Sequence, residues 1–223
     1  SLTNVEELTV ECCDKIKWDN IPANIKSLKI VRYNDEPIDC KGLRDVPFLT
    51  LDGLCPVLNL EKLHNEHVEL IMCCEIYDFS GLRNVKNITI DLCNNFTNVS
   101  QLSHVEHLTL KYCSNVKTIT NLNKVRYLEL VNCCDIKTIE SCEALEELVI
   151  VNCIELGKYD SDKTNFMALK NVKKINLTRT YVTNEQLSYF SNADSMCLCD
   201  CPSITDISSV INVPEITIID CNN

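Results

Sequence analysis

The chain has 223 residues and a net charge of −11, from 32 acidic against 21 basic side chains. Hydrophobic residues make up 45% and charged residues 24%, proportions that exclude disorder as the main state. The acidic balance opposes nucleic acid and anionic membranes as partners, and no apolar run approaches the ~20 residues needed to span a bilayer.

The chain is best read coil by coil from its start. Ser1 to Asp14 has no basic segment leading into an apolar run, so no secretory leader is expected there. An apolar pattern begins at once with Leu2, Val5, Leu8, Val10 and Cys13, and restarts at Ile25, Val46, Asn65 and Val85. It is clearest in Val105-x-x-Leu108-x-Leu110-x-x-Cys113-x-x-Val116-x-x-Ile119-x-x-Leu122, which recurs from Val125 to Cys142. Further units open at Leu145, Val172, Ala193 and Val213, giving eleven in all at steps of 19 to 21 residues, with one step of 27. Cys73, Cys93, Cys113, Cys133 and Cys153 follow one another at intervals of 20.

Each unit changes period midway. Leu108-x-Leu110 alternates as a strand does, whereas Val116, Ile119 and Leu122 recur every third residue, as 3₁₀ or extended turns require. One coil cannot bury its apolar edge alone, so coils must stack and pair their strands into a parallel sheet. The seven extra residues fall in an insertion at 157–171, where Ser161 or Asp162 is expected to cap a short helix carrying Phe166, Met167 and Leu169 inward. Thr183-Asn184-Glu185-Gln186 reads as a capping box before Leu187, Tyr189 and Phe190. The last coil ends with Ile216, Ile218 and Cys221, so both ends present apolar strand edges, expected to continue into flanking sequence or to dock end to end on a neighbour.

The pattern L-x-x-L-x-L-x-x-[N/C]-x-x-[I/L] resembles the leucine-rich repeat over essentially the whole chain. Cysteine in the asparagine position is similar to the cysteine-containing subclass, found in substrate-recognition arms of ubiquitin ligases. Ile204-Thr205-Asp206-Ile207-Ser208-Ser209-Val210 looks like the internalin type, and Ile21-Pro22-Ala23-Asn24-Ile25-x-x-Leu28-x-Ile30 is faintly similar to FNIP repeats. The resemblance implies a single mostly-β α/β domain over 1–223. It would be a right-handed superhelix with a concave parallel sheet of about eleven strands and few convex helices.

The chemistry-bearing residues point away from catalysis. Four glycines (Gly42, Gly53, Gly81, Gly157) form no phosphate-cradling loop, and there is no G-x-S-x-G or H-E-x-x-H. Eight cysteines occupy the ladder position: Cys13, Cys73, Cys93, Cys113, Cys133, Cys153, Cys201 and Cys221. They read as small buried hydrophobes, with Thr180, Tyr33 and Leu54 in their place in three coils. In Cys197-x-Cys199-x-Cys201, Cys197 and Cys199 point out of the sheet, a start to a zinc site that lacks converging ligands. His67 and His107 share one repeat position on the same face, and His64 and His104 are the other imidazoles. Neither a metal nor a cofactor is expected. The sequons at Asn87, Asn95, Asn98 and Asn176 would matter only in a secreted protein, and unpaired thiols fit a reducing cytoplasm better.

What remains is the open face of the sheet. Its outward positions include His67, Ile71, Met72, Leu92, His107, Tyr112, Tyr127, Val131, Val149 and Val151, more apolar and aromatic than water requires. The expected function is a non-enzymatic scaffold that binds a protein partner on this face. The alternative is a structural subunit assembled through its open ends, as in a viral or other large particle.

Overall fold

Leu108 and Leu110 must leave water together while Thr109 between them stays accessible, and an extended strand is the conformation that separates them. A computed structural model shows that alternation and describes residues 4–13, 15–18, 21–158 and 166–221. Leu2 and the cap candidates Ser161 and Asp162 lie outside the described residues. The chain forms two compact units, Ser1–Phe96 and Thr97–Asn223.

The first unit carries strands β1 (Glu7–Glu11), β2 (Ser27–Val31), β3 (Phe48–Asp52), β4 (His67–Ile71) and β5 (Asn87–Asp91). Each pairs in parallel with the next, which places Leu8, Leu28, Leu49, Val68 and Ile88 side by side. The second unit carries β6 (His107–Lys111), β7 (Tyr127–Val131), β8 (Glu147–Val151), β9 (Lys174–Thr178), β10 (Ser195–Cys199) and β11 (Glu215–Ile219). Its parallel register aligns Leu108, Leu128, Leu148, Ile175, Met196 and Ile216. The eleven five-residue parallel strands match the count of repeats, two-residue parallel pairs (Ile38–Asp39 with Val57–Leu58, Thr118–Ile119 with Thr138–Ile139) lie on the return path, and the architecture is a mostly-β solenoid. Inward leucines such as Leu108, Leu110, Leu128 and Leu130 are wholly buried, each contributing about 1.5–3 kcal/mol through removal from water.

The return path of each coil is built from short turns. Three-residue 3₁₀ helices include Cys40–Gly42, Leu60–Lys62, Ser80–Leu82, Met167–Leu169 and Ser208–Val210. The α-helix at Asn184–Leu187 begins with the capping box read from sequence. Gln186 N donates to Thr183 Oγ1 at 3.3 Å, and Thr183 N donates to Gln186 Oε1 at 3.0 Å. The insertion is corrected in one respect. Phe166 and Leu169 are buried, but Met167 is 56% exposed. Side chains three apart share a face of a 3₁₀ turn, so the intervening Met167 points away from the core that holds its neighbours.

A backbone corner follows nearly every strand. Cys12, Met72, Leu92, Tyr112, Asn132, Asn152, Arg179, Asp200 and Asp220 all have φ between 50° and 54°. Seven of these peptide N–H groups continue the parallel ladder one residue past the strand: Met72 N to Asp91 O, Tyr112 N to Val131 O and Asn132 N to Val151 O are each 2.9 Å. The corner turns the chain so that the next residue, the ladder cysteine, points inward.

Four ladder positions depart from the sequence reading. In the third coil Gly53 adopts φ +143°, Leu54 is 53% exposed, and Cys55 takes the buried place one residue later. In the second coil Tyr33 is likewise on the surface, and Arg32 fills the corner. Its guanidinium donates to the carbonyls of Cys13, Pro37 and Glu36 at 3.1, 3.2 and 3.4 Å. Cys13 is exposed and Cys221 half-buried, so six of the eight expected ladder cysteines lie in the core. Thr180 is buried as expected, its hydroxyl 3.5 Å from Cys201 Sγ.

Candidate interaction face

Within the core, the thiols bond to backbone. Cys93 Sγ donates to Leu70 O and Asp91 O at 3.5 and 3.4 Å, and Cys133 Sγ to Leu110 O and Val131 O at 3.4 and 3.5 Å. Cys73, Cys93, Cys133, Cys153 and Cys201 each tie the end of their own strand to the strand before, the work asparagine does in other repeats. A hydrogen bond to Cys93, followed by burial, holds Cys73 above the ordinary thiol range. Its bond to Cys133, followed by burial, does the same for Cys153. Burial, with the adjacent Asp39 and Glu143 carboxylates, pushes Cys40 and Cys142 up to about 12. All sixteen cysteines are unbridged and nine of them are buried away from water and oxidant, so thiol titration under denaturing, non-reducing conditions should count all sixteen as free. Recovery of bridged peptides would contradict this.

The other side of the strands holds the accessible chemistry. In the first unit, His67 stacks on Phe48 with ring centres 6.3 Å apart and planes at 30°. Its Nε2 lies 3.2 Å from Thr89 Oγ1. Thr50 Oγ1 donates to Glu69 Oε2 at 3.0 Å, and Lys29 Nζ pairs with Asp52 at 2.9 Å. Ile71 and Met72 are half-buried at the strand end, and Leu92 is 39% exposed at its corner. Phe48, half-exposed, belongs to the same face although its coil has a bulged corner and no ladder cysteine at the expected position. The same first-strand position that gave His67 also gives Phe48.

In the second unit His107 stacks on Tyr127, with ring centres 5.8 Å apart and planes at 25°. Thr109 Oγ1 donates to Glu129 Oε2 at 3.1 Å. Desolvation, reinforced by the Glu129 and Glu147 carboxylates, pushes the Tyr127 phenol up to about 12. Tyr112 is 47% exposed at its corner. Register brings Val131 beside Val151, and Glu129 beside Val149. Asn152 Nδ2 donates to Asn132 Oδ1 at 2.6 Å, locking two successive corners together. A shallow groove of about 270 Å³ crosses β8 to β11, with Val149, Asn176, Cys197 and Thr217 along its floor and Glu147 and Lys174 at one wall.

Cys197 and Cys199 are half-buried on this face while Cys201 is buried behind it, the alternation their spacing predicts. Among the described residues no three His, Cys, Asp or Glu side chains converge as a metal site would need. Among the same residues no helix is long and apolar enough to cross a membrane. Three of the four sequon amides serve backbone or caps. Asn87 Nδ2 donates to Glu66 O at 2.7 Å, Asn95 Nδ2 donates to Cys74 O, and Asn98 Oδ1 accepts from Ser100 N at 3.1 Å.

No family model and no curated protein matches the chain. Among solved structures, the functional domain of InlJ from Listeria monocytogenes, which includes a cysteine ladder, is similar to it. It is 17% identical with a TM-score of 0.56, over 95% of this chain and 48% of that one. The chain therefore spans about half the length of the InlJ structure. Internalin C2 from Listeria monocytogenes is 15% identical over 87% of this chain and 81% of its own, with a TM-score of 0.46. The fold is that of a leucine-rich-repeat protein of the cysteine-containing type.

Proposed function

We propose that this chain is a non-enzymatic scaffold that binds a protein partner on the open face of its strands, in a reducing compartment. The observation that carries this reading is where bulky side chains stand. Left-handed backbone costs an L-residue about 1–2 kcal/mol, and asparagine or glycine relieves most of it. At Asn132 and Asn152 the corner holds the residue its backbone prefers. At Met72, Leu92 and Tyr112 the same corner holds large apolar side chains, two of them more than a third exposed. Neither core packing nor solvation favours that choice, whereas a partner surface does, because exposed aromatic and methionine side chains anchor interfaces.

Tyr112→Asn is the direct test. It should leave the unfolding midpoint unchanged, or raise stability by up to about 1 kcal/mol, because asparagine tolerates the left-handed corner. Partner capture should fall sharply at the same time. Capture is read by a photo-crosslinking residue placed at Val149 on the face and, separately, at Tyr77 on the turn side. A partner joined from position 149, lost with Tyr112→Asn, supports the reading. Equal crosslinking from position 77 overturns it.

A further inference from the structure

We propose that each unit carries a subsite for a cationic side chain of the partner, an arginine or lysine seated on a stacked ring pair beside a threonine-held glutamate. The proposal rests on reading the open face as the partner surface, and it names the chemistry that face selects. The same device occurs twice. In β3 and β4 the first positions are Phe48 and His67, stacked, and the third positions are Thr50 and Glu69, hydrogen-bonded. In β6 and β7 the first positions are His107 and Tyr127, stacked, and the third are Thr109 and Glu129, hydrogen-bonded. In both, the ring pair and the glutamate lie one alternation apart on the same side of adjacent strands.

That arrangement suits a cation and little else. An apolar anchor would gain nothing from a carboxylate fixed next to it, since burying that charge without a partner is costly. An anion is opposed by the glutamate itself and by the net charge of −11. A guanidinium or ammonium is attracted by the ring faces and by the carboxylate together. The threonine hydroxyl bonds one carboxylate oxygen, which fixes the charged group in place beside the rings. In the first unit the neighbouring Lys29 is already paired with Asp52 at 2.9 Å. In the second, Glu147 stands next to Tyr127 in the register and adds to the negative potential around its ring.

The experiment uses the full chain and three acetylated, amidated tetrapeptides: tetra-arginine, tetra-lysine and tetra-glutamate, titrated calorimetrically at 150 mM salt. The arginine and lysine peptides should bind and the glutamate peptide should not. Glu69→Gln and Glu129→Gln together remove the charge from both subsites but keep the shape, and should weaken the arginine peptide about five- to tenfold, as should Phe48→Leu combined with Tyr127→Leu. Glu75→Gln and Glu140→Gln, which remove the same charge from exposed turns, should leave it unchanged. Equal weakening by the turn variants, or no binding of any cationic peptide, overturns the proposal. If the partner is still captured from position 149 and survives Glu129→Gln and Glu69→Gln together, the interaction face stands and the cationic subsites do not.

Discussion

Gly53→Ala should destabilise the protein by at least about 3 kcal/mol, one of the two largest single-residue effects expected here. Two independent causes converge on this position. Its φ of +143° lies where side-chain-bearing residues are strained, and a Cβ there would come within 1.6 Å of Arg32 O, a backbone atom that cannot swing aside. Relief requires the Arg32 segment to move. That segment is held by Arg32 N donating to Asp52 O at 2.8 Å and by a buried guanidinium bonded to three carbonyls. Moving it strands a buried charge, which is expensive without its partners. Urea unfolding measures the loss. A drop below about 1 kcal/mol would mean that the third coil adopts another corner in solution.

The second large effect is a contrast between neighbours. Leu130 is wholly buried, flanked in register by Leu110 and Ile150, whereas Val131 is half-buried on the open face beside Lys111 and Val151. Leu130→Ala should cost about 3–4 kcal/mol, the lost transfer of the side chain plus the cavity it leaves. Val131→Ala should cost less than about 1 kcal/mol, since that side chain lies on the open face, partly in water, and its loss leaves no closed cavity. The two substitutions sit one residue apart, so the comparison tests the direction of the alternation itself. A register slipped by one residue would exchange the two costs. Comparable losses at both positions would show that the face is covered by something in the isolated protein.

The repeat was legible because apolar side chains and cysteines advertise burial directly. Leu108, Leu110 and Cys113 each stand where their spacing places them. The corners were not legible. A glycine after each strand would have announced a positive-φ corner, but among the described corners only Gly53 is a glycine, and methionine, leucine, tyrosine and asparagine conceal others. The same concealment displaced the reading of the third coil, where Leu54 stands at the cysteine interval while the backbone spends one more residue and buries Cys55 instead. Arg32 escaped for a different reason. Sequence patterns rank arginine as surface, and only the three carbonyls left open by this corner make it a core residue. On the candidate face, the aliphatic positions followed from alternation, whereas the ring stacks and the threonine–glutamate pairs depend on which residues share a level in adjacent coils. That is a property of two coils read together.

The corner also constrains how such a molecule can change over time. A corner N–H reaches the last strand carbonyl of the next coil, as Tyr112 N reaches Val131 O and Asn132 N reaches Val151 O. A single residue gained or lost on the strand side would break that correspondence for the coil and both its neighbours. The departure from twenty-residue spacing is accommodated away from the strands, where 27 residues separate Leu145 from Val172 while β8 and β9 keep perfect register. Two modes of variation are therefore open at low cost. Turns can lengthen freely, and whole coils can be copied or excised, since each hands its successor the same set of donors and acceptors. The sheet surface is left to diversify by exchanging side chains one at a time, on a backbone that records its history in whole turns of the coil.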